Sequence, residues 1–168
     1  MTQAVPVTPR GTGTTLASLL DMTNAYLAQR LEGLSDEEWL WEPAPGCWSI
    51  RDGKMDFALP VPSPAPVTTI AWRLHHIQAC NEVEMHSMHD EDYDWADVKV
   101  PRGADEAVEM WRLSANALRG SVAALSDVDL ETMTKQGLPR VWFASTLVRE
   151  NIHHGAEIGV LRDLYRAR

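Results

Sequence analysis

His153 and Glu157 stand four residues apart, a spacing that sets two side chains one turn apart on the same face of an α-helix. An imidazole and a carboxylate placed in this way can share a divalent cation. Leu147, Ile158, Leu161, Leu164 and Tyr165 recur at helical spacing around them, so the pair is set in a partly apolar helix and not in a fully solvated stripe. His76 supplies a third candidate from a separate helical stretch, with Trp72 and Cys80 four residues to either side. Two ligands on one helix and a third on a facing helix is a common way for a bundle to build a metal site in its core. Three protein ligands and an open position are also what a catalytic zinc site requires. Imidazole suits zinc, nickel, copper or iron, and one carboxylate narrows that choice little.

Other groupings compete. Glu150 and His154 form a second pair four residues apart, rotated by about 60° from the first at ~100° per residue. His75 faces about 100° away from His76, toward Ala79 and His86. Cys80 is a soft donor four residues after His76, although a buried free cysteine commonly acts as a small hydrophobe. His86 and His89 lie beside the acidic stretch Asp90-Glu91-Asp92. A histidine and a glutamate in a core can also simply hydrogen-bond each other.

Four helical stretches must position these residues. The first is expected from about Thr15 to Leu34, with Leu16, Leu19, Leu20, Leu27 and Leu31 on its apolar face, followed by a short acidic turn capped by Ser35. The second begins after Pro66, with Thr68 or Thr69 as cap, and ends before Asp90. The third spans about Ala104 to Leu125. The fourth starts at Ser145 or Thr146 and runs almost to Arg168. Between Glu42 and Val67 stand six prolines and two glycines, which predict an ordered crossover that covers one end of the bundle. The expected fold is all-α, a four-helix bundle with a long proline-rich loop between its first two helices.

The 168 residues fit one domain, read as residues 14–168 after a flexible segment over residues 1–13. A net charge of −9 disfavours nucleic acid and anionic membranes as partners. Cys47 and Cys80 are far apart with no CxxC spacing, which predicts a cytoplasmic protein without a disulfide framework. There is no secretory signal and no run approaching the ~18 apolar residues of a membrane span.

Three segments in order, Gly46 to Arg51, Thr69 to Ile77 and Glu150 to Arg162, resemble the DinB-like (DinB/YfiT-type) superfamily of metal-binding four-helix bundles. In that family a histidine on the second helix and a His-x-x-x-His pair on the last helix hold a divalent metal. The resemblance implies His76 for the first, and His153 with the position before Ile158-Gly159 for the second. That position is Glu157, a departure from the family's histidine. The superfamily includes mycothiol-dependent maleylpyruvate isomerase and bacillithiol S-transferases. It therefore implies a transferase, isomerase or hydrolase acting on a small molecule, with a divalent metal (zinc or nickel first) and a low-molecular-weight thiol cosubstrate. Trp48, Arg51 and Trp72 would line the mouth of such a site, with Arg51 available to a substrate carboxylate, and a homodimer is expected. The alternative is a non-catalytic binding or dimerisation module whose metal site is degenerate or absent.

Overall fold

The computed structural model describes residues 11–168, and its helix boundaries follow from their end residues. Helix α1 (Thr12–Leu31) stops ahead of Gly33, whose φ of +67° leaves the right-handed helix and lets Leu34 return to the core. Ser35 then caps α2 (Asp36–Trp39), accepting from the Glu38 N–H at 3.2 Å. The strands β1 (Ile50–Arg51) and β2 (Lys54–Met55) form a small antiparallel hairpin in the crossover. Thr69 caps α3 (Ile70–Met88), and α4 spans Ala104–Ala124. A reciprocal cap between Ser126 and Asp129 opens α5 (Asp127–Leu130), and α6 (Arg140–Arg166) completes the chain.

Two helix starts lie earlier than the sequence suggests. Helix α1 begins at Thr12, so Thr12 and Gly13 of the expected flexible segment are helical, while residues 1–10 lie outside the described residues. Gly13 passes against the end of α4, where a Cβ would stand 2.6 Å from the Leu125 carbonyl oxygen; only glycine allows that approach. Helix α6 begins at Arg140 and not at Ser145, because Phe143 and Ala144 continue its buried stripe back to Pro139. Proline suits that start, since its missing N–H would have no helical partner there.

The four long helices form the expected bundle. Helix α3 packs on α4 and α6, and α1 packs on the same two, so α1 and α3 occupy opposite corners. One apolar cluster gathers Leu27, Leu31, Ile70, Leu74, Ile77, Trp111 and Ile158, and a second gathers Leu20, Met88, Leu118, Phe143 and Leu147. Along α6, Asn151 falls between them. Its Nδ2 donates to Asn81 Oδ1 at 2.7 Å, and Asn81 in turn donates to Ser114 Oγ at 3.3 Å, so a chain of buried hydrogen bonds links three helices.

The crossover is ordered, as its prolines predict. The Trp48 N–H donates to the Val67 carbonyl and the Thr69 N–H to the Trp48 carbonyl, each at 2.9 Å, which ties residues 48 and 68 side by side. Trp72 Nε1 donates to the Asp56 carbonyl at 2.8 Å. The proline-rich segment is thus fastened over the N-terminal half of α3. No described helix is long and apolar enough to cross a membrane.

Candidate metal centre

Where α3 faces α6, His76 Nε2 lies 3.6 Å from Glu150 Oε2, and His154 Nε2 lies 2.9 Å from the same oxygen. The three groups offer ligand atoms all within 4.8 Å of one another. The two rings meet edge to face, their centroids 4.7 Å apart. Rings also cover both faces of His76: Trp72 stacks at 4.9 Å on one side and Trp95 at 5.7 Å on the other. Its edge is left to meet Glu150.

The buried stripe of α6 runs through Leu147, Asn151, His154, Ile158 and Leu161, in alternating steps of four and three. His154 is on that stripe; His153 is one position off it. The His153 side chain is accordingly 60% exposed, whereas that of His154 is 9% exposed. The structure brings His76 together with Glu150 and His154, and not with His153 and Glu157. Those last two form part of a neighbouring group with His154, in which His153 Nε2 stands 3.5 Å from Glu157 Oε1. Glu157 Oε2 approaches His154 Nδ1 at 2.6 Å and Arg73 Nε at 3.0 Å. A cation therefore already stands beside the second group, and it is the Arg73 guanidinium.

The electrostatics follow this arrangement. Contact with His76 foremost, then the charges of His154 and Arg149, hold the Glu150 carboxyl down to about 2 in spite of burial. Burial pushes Glu157 up, but the His154 hydrogen bond and the nearby cations outweigh it and leave it lowered. Burial holds His76 below the ordinary imidazole value, so the ring favours the neutral form that can bind a metal. Cys80 Sγ lies 3.4 Å from His76 Nε2, yet burial and then the Glu150 and Glu84 charges raise its thiol strongly, which keeps it protonated.

The remaining histidines are held elsewhere. His75 is buried with Nδ1 3.1 Å from Gln78 Oε1, His86 pairs with Glu91 at 2.5 Å, and His89 Nε2 meets Ser121 Oγ at 2.6 Å.

A cavity of about 820 Å³ opens beside His76, walled by α3, the crossover and the segment before α4. Trp48 and Trp72 line it. Arg51 does not: it pairs with Glu42 and with Asp56 (Nη1 to Oδ2, 2.6 Å) outside the wall. Arg73 supplies the guanidinium there instead, and Trp95 and Lys54 join the lining from segments in which no helical period had marked them.

The set His76, Glu150 and His154 fits a divalent ion on its chemistry. Each nitrogen of His154 faces a carboxylate oxygen, but a neutral imidazole carries one N–H. Arg73 Nη1 stands 3.2 Å from Nδ1, so the ring proton can sit on Nε2 toward Glu150. A divalent ion that replaced that proton would be held by Nε2, Glu150 and His76 together, with Glu157 beside Nδ1 to accept the displaced N–H. Donor separations of 2.9 and 3.6 Å bracket the roughly 3.3 Å edge of a tetrahedron with zinc bonds of about 2.0–2.1 Å.

No family model and no curated protein matches the sequence. Among solved structures, the chain is similar to a conserved protein from Enterococcus faecalis, at 10% identity and a TM-score of 0.69, covering 95% of this chain and 100% of that one. It is also similar to a DinB-like protein from Bacillus cereus ATCC 10987, at 20% identity and a TM-score of 0.64, over 88% and 89% of the two chains. At these identities the likeness is one of fold: this chain has the four-helix-bundle architecture of a DinB-like protein, with a candidate His/Glu metal cluster between α3 and α6.

Proposed function

We propose that this protein binds one divalent cation through His76 Nε2, His154 Nε2 and Glu150, and uses that centre to transform a small molecule held in the adjoining cavity. The observation that carries the reading is the convergence of three ligand atoms from two helices, one of which, on His76, belongs to a residue lining the cavity. The neighbouring group with His153 fits less well, because one ligand is solvated and Arg73 already neutralises Glu157. A bound divalent ion supplies Lewis acidity, lowering the pKa of a thiol or water at an open position enough to give a nucleophile at neutral pH.

The chain's own residues prepare for this. With a cation on Nε2 the one ring proton of His154 would sit on Nδ1, where Glu157 Oε2 stands 2.6 Å away to accept it. Trp72 and Trp95 clamp the His76 ring, and the crossover walls the cavity beside it. Thiol-dependent transfer or isomerisation and simple hydrolysis use the same centre, and differ in whether a thiol or a water takes the open position.

The test is a zinc titration of chelator-treated protein, purified without a metal column, with bound metal read by elemental analysis. One ion per chain is expected, lost in Glu150→Gln and His154→Ala and retained in His153→Ala. Protein that takes up neither zinc, nickel nor manganese would overturn the metal centre. Loss of the ion in His153→Ala but not in Glu150→Gln would move it to the outer group.

A further inference from the structure

Five rings follow one another along the cavity: Phe57, Trp48, Trp72, His76 and Trp95, with successive centroids 6.0, 5.9, 4.9 and 5.7 Å apart. Part of this surface has no protein partner. Phe57, Trp95 and Val61 all line the cavity yet remain 62%, 47% and 49% exposed, so wide apolar faces are left for something else to cover. The volume of about 820 Å³ lies within the roughly 300–1,000 Å³ of small-molecule sites.

Charge narrows the occupant. The chain carries −9 overall, but no aspartate or glutamate lines this cavity, whereas Lys54 and Arg73 do. Arg51, beside Lys54 in the hairpin, takes the carboxylates of Glu42 and Asp56, and Lys54 has no ion-pair partner among the described residues. Arg73 keeps donors beyond those directed at Glu157 and His154, since a guanidinium has five N–H groups. Aromatic boxes often accept organic cations. Here Arg73 already lies 5.1 Å over the Trp72 ring, and Lys54 would repel a second positive charge.

We infer that this cavity binds a flat aromatic molecule bearing a carboxylate, its ring against the exposed faces of Phe57 and Trp95 and its anion toward Lys54 and Arg73. As the substrate class of the metal centre this rests on the function proposed above; as a binding site it does not need the metal.

Calorimetric titration of chelator-treated and of zinc-loaded protein with 2-naphthoate tests it, set against the neutral 2-naphthylmethanol and the cationic 2-naphthylmethyl-trimethylammonium. Naphthoate is expected to bind saturably to both forms, about tenfold or more tighter than the neutral analogue, the range of one charge-assisted hydrogen bond. Lys54→Glu should erase that preference. Trp95→Ala should weaken acid and alcohol alike; both side chains are exposed, so neither change threatens the fold. Absence of saturable binding, equal binding of acid and alcohol, or tighter binding of the cation would overturn the inference. Naphthoate binding by protein that takes up no zinc would leave the cavity standing and remove the centre, and the converse result would do the reverse.

Discussion

Glu157 sits 2.6 Å from His154 Nδ1 and 3.0 Å from Arg73 Nε, so its influence on the candidate centre passes through another side chain. Removing such an outer partner commonly costs about 10–100-fold in metal affinity. Glu157→Gln keeps the shape but weakens the acceptor, and it should lower zinc affinity within that range while leaving one ion per chain, as read by competition with a chelating dye. Unchanged affinity would mean that Glu157 does not set the tautomer of His154. The residue types of the candidate cluster were legible from their spacing, with His76 among them. The register was not, for a geometric reason. The pairs Glu150/His154 and His153/Glu157 differ by about 60° of rotation, less than the roughly 100° width of a helix's apolar face. Only the packing of α6 against α3 distinguishes them, turning Glu150 and His154 toward His76 and leaving His153 in solvent.

Helix α6 also carries Arg162, which is buried to 1% exposure and holds Glu38 of α2 in a two-pronged ion pair, Nε to Oε1 at 2.8 Å and Nη2 to Oε2 at 2.7 Å. A further donor reaches the Glu32 carbonyl at 3.0 Å, so one side chain ties α6 to the end of α1 and to the turn after it. Breaking a buried pair from one side leaves an uncompensated charge, at a cost of about 3–5 kcal/mol. Arg162→Ala should lower unfolding stability by that amount in urea titrations, and Arg162→Met with Glu38→Leu should recover much of it. If the single change costs under about 1 kcal/mol, the pair is solvated and not buried. Nothing in the sequence pairs Arg162 with Glu38, because only the return of the chain after Gly33 brings that carboxylate beneath it. The long helices were legible because their apolar periods run for five turns or more. The hairpin was not, since strands of two residues are too short to alternate; its one local signal was Asp52-Gly53, where both residues take positive φ and turn the chain.

Over the whole bundle the proposed centre and the fold would share one free energy, because the candidate ligands come from helices that separate on unfolding. Zinc at a hundred times its dissociation constant adds about 2.7 kcal/mol, which for a domain of this size raises the melting temperature by roughly 5–10 °C. Protons act in the opposite direction. Burial holds His75 and His76 below the ordinary imidazole pKa, so the unfolded chain takes up protons first as the pH falls. The stability they contribute is complete above about pH 6.5 and is lost as the pH falls through their lower folded values. Metal-free protein should therefore melt at a lower temperature at pH 5.5 than at pH 7.5. The rise produced by zinc should shrink over the same interval, because protons compete for its imidazole ligands. Scanning calorimetry at the two pH values, with chelator and with zinc, measures both. In Glu150→Gln the zinc increment should vanish while the acid slope of the metal-free protein persists, since His75 remains buried against Gln78, away from Glu150. A zinc increment that survives Glu150→Gln would place the ion elsewhere, and a flat melting temperature between the two pH values would show that the buried histidines are as easily protonated folded as unfolded.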